Sequence, residues 1–540
     1  MTVGDQTAEA TPRAADPSTD VDGAYAKYVL GVLVVVYVFN FIDRQILSIL
    51  AEDIKADLGI SDAQIGFLYG TAFAVFYAVF GIPLGRLADT WHRTRLISIG
   101  LAFWSLMTAL SGFAKNFAML ATFRFGVGIG EASASPAANS LLSDYFSPKV
   151  RATVLSIYSS GIYIGSGIGL FIGGVVLDGW NNAFPDPSLS PLGLKGWQAA
   201  FMIVGIPGLG IAYWVSTLRE PQRGQSEGHI TPPHPHPFKE TIKEFIAVLP
   251  PLTLYGLYQA KADRDAFALN ITVGAMLCLL AFLLTRWVGE PVQWIALAIG
   301  IYGAFSWAQS LAMRDPATFR VIFGSKTFLL SVIGFPCIAF VTYGVGFWTI
   351  PFLERVHGVS KTEVGTFIGL GAAIGGWIGV TMGGVLADRL QQHYTGARHI
   401  MGIAAASCAF PIGIAFTLVD SIVAAYVLSF LFSALAPMWV GPSYSAVVDL
   451  VLPRMRAIAV ALIIFMSTFV GLAMGPFTIG KVSDALATSG MESGEALRYG
   501  LMSAHVMLIA AVTFLLLAWR YLDHDMDTKL DRARAAGEEV

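Results

Sequence analysis

The chain has 540 residues, of which 55% are hydrophobic and only 13% charged, with a formal net charge of −3. A soluble protein of that size needs a wet, charged surface, so the composition excludes a cytosolic enzyme and a disordered scaffold. The near-neutral balance offers no footprint for nucleic acid, which leaves a polytopic, all-α membrane protein.

Residues 1–24 are polar and lack the basic start and apolar core of a signal peptide, so a disordered tail is expected there. Beyond the tail come stretches of the roughly 20 apolar residues that cross hydrocarbon. They fall near 27–50, 64–84, 95–113, 117–140, 152–177, 198–218, 267–288, 292–313, 326–350, 363–386, 399–418, 421–447, 456–480 and 501–522, fourteen spans in all. The apolar segment 245–259 is short and contains Pro250 and Pro251, so it reads as interfacial. Thr231-Pro232-Pro233-His234-Pro235-His236-Pro237 is held extended by its prolines and reads as a linker rather than a metal site. Cys278, Cys337 and Cys408 lie in apolar runs and imply no disulfide framework. Asn270-Ile271-Thr272 has the form of a glycosylation sequon but falls inside a span, where it is a chance match. There is no GxxxxGK[ST] loop for a nucleotide, and neither a cofactor nor a metal is expected.

Orientation follows from the cations. With the N-terminus in the cytoplasm, most of the 34 Lys and Arg residues lie on the cytoplasmic side, including Arg86, Arg93, Arg95, Lys149, Arg151, Arg219, Arg223, Arg454 and Arg456. An even number of spans puts the tail 523–540 there too. The expected location is a cell membrane of the bacterial inner-membrane type.

An internal repeat organises the spans. Gly85-Arg86-Leu87-Ala88-Asp89 follows the second span and Gly384-Val385-Leu386-Ala387-Asp388-Arg389 the tenth. Asp144-x-x-x-Pro148-x-x-Arg151-Ala152 recurs as Asp449-x-x-x-Pro453-x-x-Arg456-Ala457. The offsets are 299 and 305 residues, nearly one register. The expected domains are therefore a six-helix bundle over 25–220, a linker over 221–325 carrying two extra helices at about 267–313, and a second six-helix bundle over 326–522. Two parallel halves related by an axis along the membrane normal describe a secondary transporter with its site between them.

These motifs resemble the major facilitator superfamily over nearly the whole chain. The loop Gly85 to Arg95 is similar to that superfamily's motif between spans two and three, with Thr90 and His92 departing from it. Asn40-Phe41-Ile42-Asp43-Arg44, Arg124-Phe125-Gly126-Val127-Gly128-Ile129-Gly130-Glu131-Ala132 and Arg219-Glu220-Pro221 look most like the Spinster family. The resemblance implies the major facilitator fold and a proton-linked transporter of lysolipids or sphingoid phosphates. It also implies that Asp89, Arg93, Arg95, Asp388 and Arg389 belong to loop contacts that hold the inner gate shut, with plain loop folding as the competing reading.

Ionisable groups at mid-membrane cost several kcal/mol and usually have a partner and a task. In the first half these are Asp43, Arg44, Arg124 and Glu131. Asp43 and Arg124 each lie about 24 Å above the inner ends of their helices, so a pair between them is open, and Glu131 lies about 10 Å deeper on the face of Arg124. An anion arriving at Arg124 withdraws its charge from a carboxylate, which then takes a proton. On this reading Asp43 and Glu131 carry protons and Arg124 meets the anion through its planar fork; Arg44, next to Asp43 and pointing about 100° away, is a second candidate for the anion and is also free to snorkel or pair elsewhere. The competing reading is a permanent ion pair that locks helices together.

Tyr163, Tyr343 and Trp348 are candidate cavity aromatics for an acyl chain, as are Tyr158, Trp377 and Trp439, although packing explains many such residues. The second half has almost no mid-span charge, so its cavity face is apolar. Gly165-x-x-x-Gly169-Leu170-x-x-Gly173-Gly174 in span five is similar to the superfamily's antiporter motif, with Leu170 in place of Pro, and also fits simple close packing. The function expected is a proton-coupled transporter of a lipid-like anion, acting as a monomer in the bilayer. The alternative is a drug or metabolite antiporter of the same fold. The nine His residues form no catalytic cluster, so an enzyme is not expected.

Overall fold

The computed structural model describes residues 21–227 and 235–538. Most of the expected N-terminal tail and most of the His-Pro linker lie outside the described residues. Among the described residues, thirteen helices are long and apolar enough to cross a membrane. Span four supplies one more, built from Phe117–Glu131 and Ala134–Tyr145. It is interrupted at Ala132–Ser133, where Ser133 N–H reaches Gly130 O at 3.3 Å instead of the carbonyl four residues back.

In the first half the spans are Ala24–Ile49, Asp62–Thr90, Arg93–Ser111, the interrupted span four, Arg151–Ala183 and Gly196–Ser216. The inserted pair, spans seven and eight, is Arg264–Val288 and Pro291–Arg314. Spans nine to fourteen are Lys326–His357, Lys361–Gln391, Ala397–Leu418, Ile422–Asp449, Pro453–Thr488 and Ser493–Asp527. Several outrun the apolar stretches read from sequence because helical hydrogen bonding continues through polar ends. Side-chain caps start many of them: Ser61 with Gln64, Asn116 with Met119, Ser325 with Phe328 and Ser360 with Glu363. The segment 245–259 forms no span; it ends one amphipathic helix, Pro237–Val248, and holds a short one, Leu252–Gln259.

Both ends of the described residues lie on one side, called here the terminal side. Tyr145 O accepts from Asp22 N–H at 3.0 Å, and Arg454 binds Glu538 beside the end of span thirteen. On the opposite, distal side the halves are sewn together. Arg355, at the end of span nine, donates to Glu52 at 2.6 Å and to both carboxylate oxygens of Asp62 at 2.7 and 2.8 Å. Asp62 also binds Lys55 and accepts from Ser483 at 2.7 Å. Asp484 accepts from the N–H groups of Asp62 and Ala63, which have no partner within their own helix, at 2.9 and 2.7 Å, where a helix start favours negative charge. Lys361 pairs with Asp53 at 2.6 Å and Glu354 at 2.9 Å, and Asp178 caps the start of span ten through Thr362 at 2.8 Å.

Deeper in, a π-helical segment at Ser467–Ala473 of span thirteen frees carbonyls from the helical ladder. One of them, Ala473 O, accepts from Thr71 of span two at 2.7 Å. Gly70 lies so close that a Cβ there would sit 2.3 Å from Leu472 O. On the terminal side the halves separate around a cavity of about 650 Å³. The molecule is thus closed distally and open terminally.

Candidate functional site

Span one carries Asp43 and Arg44, and adjacent helical residues point about 100° apart. That geometry decides the pairing. Arg44 faces span four and donates from Nε to Glu131 Oε2 at 2.7 Å. Its guanidinium lies over the rings of Phe73, Phe41 and Tyr77, at 4.3, 4.8 and 5.1 Å from their centroids, an arrangement that favours a desolvated cation. Asp43 turns the other way, towards Thr108 and Trp104 of span three.

The pair between the Asp43 and Arg124 side chains that their shared depth leaves open is therefore not formed here. Arg124 donates from Nη1 to the main-chain carbonyl of Asp43 at 3.3 Å, and no ion pair joins the two side chains among the described residues. Both are about 1% exposed and Glu131 is fully buried, whereas the Arg44 side chain keeps 20% exposure. Of these two cations Arg44, not Arg124, is the one with exposed side-chain surface in this conformation. Around it Asn40 Oδ1, Asp43 Oδ1, Thr108 Oγ1, Trp104 Nε1, Arg124 Nε and Glu131 Oε1 are buried and close no hydrogen bond.

Tyr77 links this cluster to the open cavity, whose lining also includes Ala132, Ser135 and Asn139 of span four. Across the midline, Tyr343 and Tyr444 expose 40% and 36% of their surface, although both lie deep among the helices, so their free edges face internal space. Tyr163 reaches across to Gly376 of span ten. Of the aromatics read from sequence, Tyr163 and Tyr343 sit at this centre, while Tyr37, Tyr77 and Tyr444 were missed. Trp348 is corrected: it is fully buried, its Nε1–H is used by Pro476 O at 2.8 Å, and it packs edge-on against Phe347. Tyr158 is likewise buried, stacked on Tyr37 at 4.4 Å.

The candidate gating residues divide. Arg93 is fully buried within the first half, where it binds Asp144, Glu220 at 2.7 Å and the carbonyl of Pro221 at 3.1 Å. Glu220 also accepts from Thr94 N–H at 2.9 Å. The second half repeats the clamp at the same offset: Arg398 binds Asp449 and donates to Ser445 O at 2.7 Å. Asp89 lies near Arg223, whose Nη2 donates to the helix-end carbonyls of Ala88 and Trp91 at 2.7 and 2.6 Å. Arg95, Asp388 and Arg389 are exposed in this terminally open conformation, which leaves their expected role in a shut gate untouched. With the terminal side open, these loops have no opposite half to grip.

The family model of the Major Facilitator Superfamily matches residues 33–476. The chain belongs to that superfamily. An MFS-type efflux pump of Mycolicibacterium smegmatis is 26% identical over 495 residues, 91% of this chain and 92% of its own. Human protein spinster homolog 1 is 27% identical over 518 residues, 90% of this chain and 79% of its own. A solved bacterial homologue of the human lysosomal transporter Spinster, in an inward-facing and unoccupied conformation, aligns with a TM-score of 0.69 at 27% identity. The alignment covers 93% of this chain and 98% of that one. Within the superfamily this is a Spinster-type, multi-pass membrane transporter.

Proposed function

We propose that the protein is a proton-coupled carrier of an amphipathic anion, of the lysophospholipid or sphingoid-phosphate kind, working by alternating access. One observation carries the reading: the Arg44–Glu131 ion pair has a partly exposed cation, stacked on the Tyr77 ring that lines the cavity, and a fully buried carboxylate. An arriving phosphate competes for the Arg44 fork. Glu131 then stands buried without a cation, and a carboxylate there takes up a proton rather than remain charged. Release of the anion restores the pair and frees the proton. Arg124 and Asp43 lie behind this switch: Arg124 stabilises both carboxylates electrostatically, and Asp43 offers the proton its second station. Asp43 and Glu131 remain the proposed proton carriers.

The cavity supports the amphipathic cargo. Its first-half wall brings Tyr77, Ser135 and Asn139, and its second-half wall brings Ala461, Leu462 and Phe465. A headgroup suits one wall and an acyl chain the other. The cation bias supports a terminal side that faces the cytoplasm across a cell membrane. A second reading, export of a drug-like solute, draws on the efflux pump among the relatives. Proteoliposomes loaded with a lysophospholipid panel or with cationic dyes, under an imposed pH gradient, test both. Lysophospholipid flux that follows the gradient is expected; dye flux alone would replace this reading with the second.

A further inference from the structure

The two seams between the halves are closed in different ways. Spans five and ten touch directly. A Cβ on Gly167 would lie 2.7 Å from Gly369 O, and one on Gly365 would lie 2.5 Å from Leu170 O, so only glycine allows that approach. Spans two and thirteen meet directly at Gly70 and Thr71, then diverge towards the terminal side around the cavity.

The inserted helices fill that divergence. Span eight leans on span thirteen through Trp294 against Phe477, centroids 5.5 Å apart, and through Glu290 and Lys481 at 3.6 Å. Its Gly300 lies under Phe469: a Cβ there would meet the ring at 2.0 Å. Its Gly303 lies against Val248 O and Val79 of span two, at 3.0 and 3.9 Å from a Cβ. Helix Pro237–Val248 closes the lower edge, with Phe245 edge-on to Phe80 at 5.4 Å and Glu240 3.9 Å from Arg86. A polar clasp holds the pair together within its apolar surroundings. Asn270 donates to Gln309 at 2.8 Å and accepts from Tyr302 at 2.5 Å, and Tyr302 meets Thr253 at 3.0 Å. Gly300, Ala304, Trp307 and Val248 face the cavity itself.

We propose that inserted span eight, backed by span seven, forms with helix Pro237–Val248 a further wall of the cargo cavity, closing the seam between spans two and thirteen to the bilayer and setting the room left for the apolar part of the cargo. The closure rests on packing alone. The fit to cargo rests on the lipid-like reading given above. On this account Trp307 and Ala304 are specificity-determining residues, and cargo enters by the terminal mouth rather than sideways from the lipid.

Two arms test it. In a protein with Cys278, Cys337 and Cys408 replaced by Ser, Ala461→Cys carries a bimane label in the cavity, and Met276→Cys carries one on the exposed face of span seven. In nanodiscs, doxyl-labelled phosphatidylcholine is expected to quench Met276→Cys strongly and Ala461→Cys weakly, while aqueous iodide quenches Ala461→Cys. Adding Gly303→Trp, which wedges Val248 away, should let the lipid quencher reach Ala461→Cys. Equal lipid quenching at both labelled positions in the parent overturns the closure. In the second arm, Ala304→Phe should shift the uptake ratio of dodecyl to octadecyl lysophosphatidylcholine by roughly tenfold towards the shorter chain, as removing room for one or two methylenes implies. An unchanged ratio overturns the role in cargo fit. If the parent moves no lysophospholipid at all, the substrate reading and the cargo-fit role fall together, and the quenching result still decides the closure.

Discussion

Replacing Arg355 by methionine removes the cation that ties Glu52 and Asp62 of the first half to span nine of the second. The Arg355 side chain is 7% exposed and that of Asp62 4%, and removing one partner of so buried a pair costs about 3–5 kcal/mol. Lys55 and Ser483 remain on Asp62, so the lower figure, about 3 kcal/mol, applies. The loss falls on the distally closed conformation, because opening parts the halves and returns these charges to water in either protein. The ratio of distally open to closed molecules should therefore rise on the order of a hundredfold. Spin labels on Ser188→Cys and Ser489→Cys, both exposed on the distal side of opposite halves, report it by pulsed electron resonance in nanodiscs. A longer-distance population should appear with Arg355→Met and be absent or minor in the parent. An unchanged distance distribution would refute the role given to this network.

Further predictions follow the same geometry. Asp484→Asn keeps the side chain's size but weakens its two bonds to the Asp62 and Ala63 N–H groups, and should give a smaller shift in the same distance measurement, about tenfold. Arg93→Ala leaves Asp144 and Glu220 without their buried cation and should destabilise the protein by about 3–5 kcal/mol in thermal unfolding in detergent, whereas exposed Arg95→Ala should stay within about 0.5 kcal/mol. The bonds from Arg454 at 2.6 Å and from Thr318 hold Asp315 below the usual carboxylate range. A depressed folded value contributes stability above the unfolded value of about 3.9, and that contribution is lost as pH falls through the folded one. The stability difference between the parent and Asp315→Asn should accordingly be constant near neutrality and shrink below about pH 4; a difference that grows on acidification would contradict the assignment.

Much of the architecture is legible in the chain because a bilayer demands long apolar helices and because the halves repeat. The 305-residue offset that relates Asp144 to Asp449 also relates Arg93 to Arg398, and both aspartates prove to be the partners of those arginines. Arg398 could have been found by applying that offset to Arg93. The buried charged cluster was visible too, since four ionisable residues in apolar runs stand out. Their pairing was not: it turned on which of two adjacent residues, Asp43 or Arg44, faces span four. The distal network escaped notice because Glu52, Asp53, Arg355 and Lys361 read as ordinary loop charges. They meet only when halves some 300 residues apart in sequence are brought together. Trp348 illustrates the opposite error, for an aromatic that fills a helix contact carries the same signature as one that lines a cavity. The break in span four had a local signal in Ser133, Ser135 and Pro136, set within an otherwise apolar run.

The most direct test of the coupling between Arg44 and Glu131 is to drive protons with cargo. Vesicles containing a trapped pH dye and the reconstituted protein receive an outward lysophospholipid gradient with no imposed pH difference. The parent should change the internal pH as cargo moves, and Glu131→Gln should move cargo with little or no accompanying pH change. Proton movement of equal size in Glu131→Gln, or cargo flux without any pH change in the parent, would contradict the account.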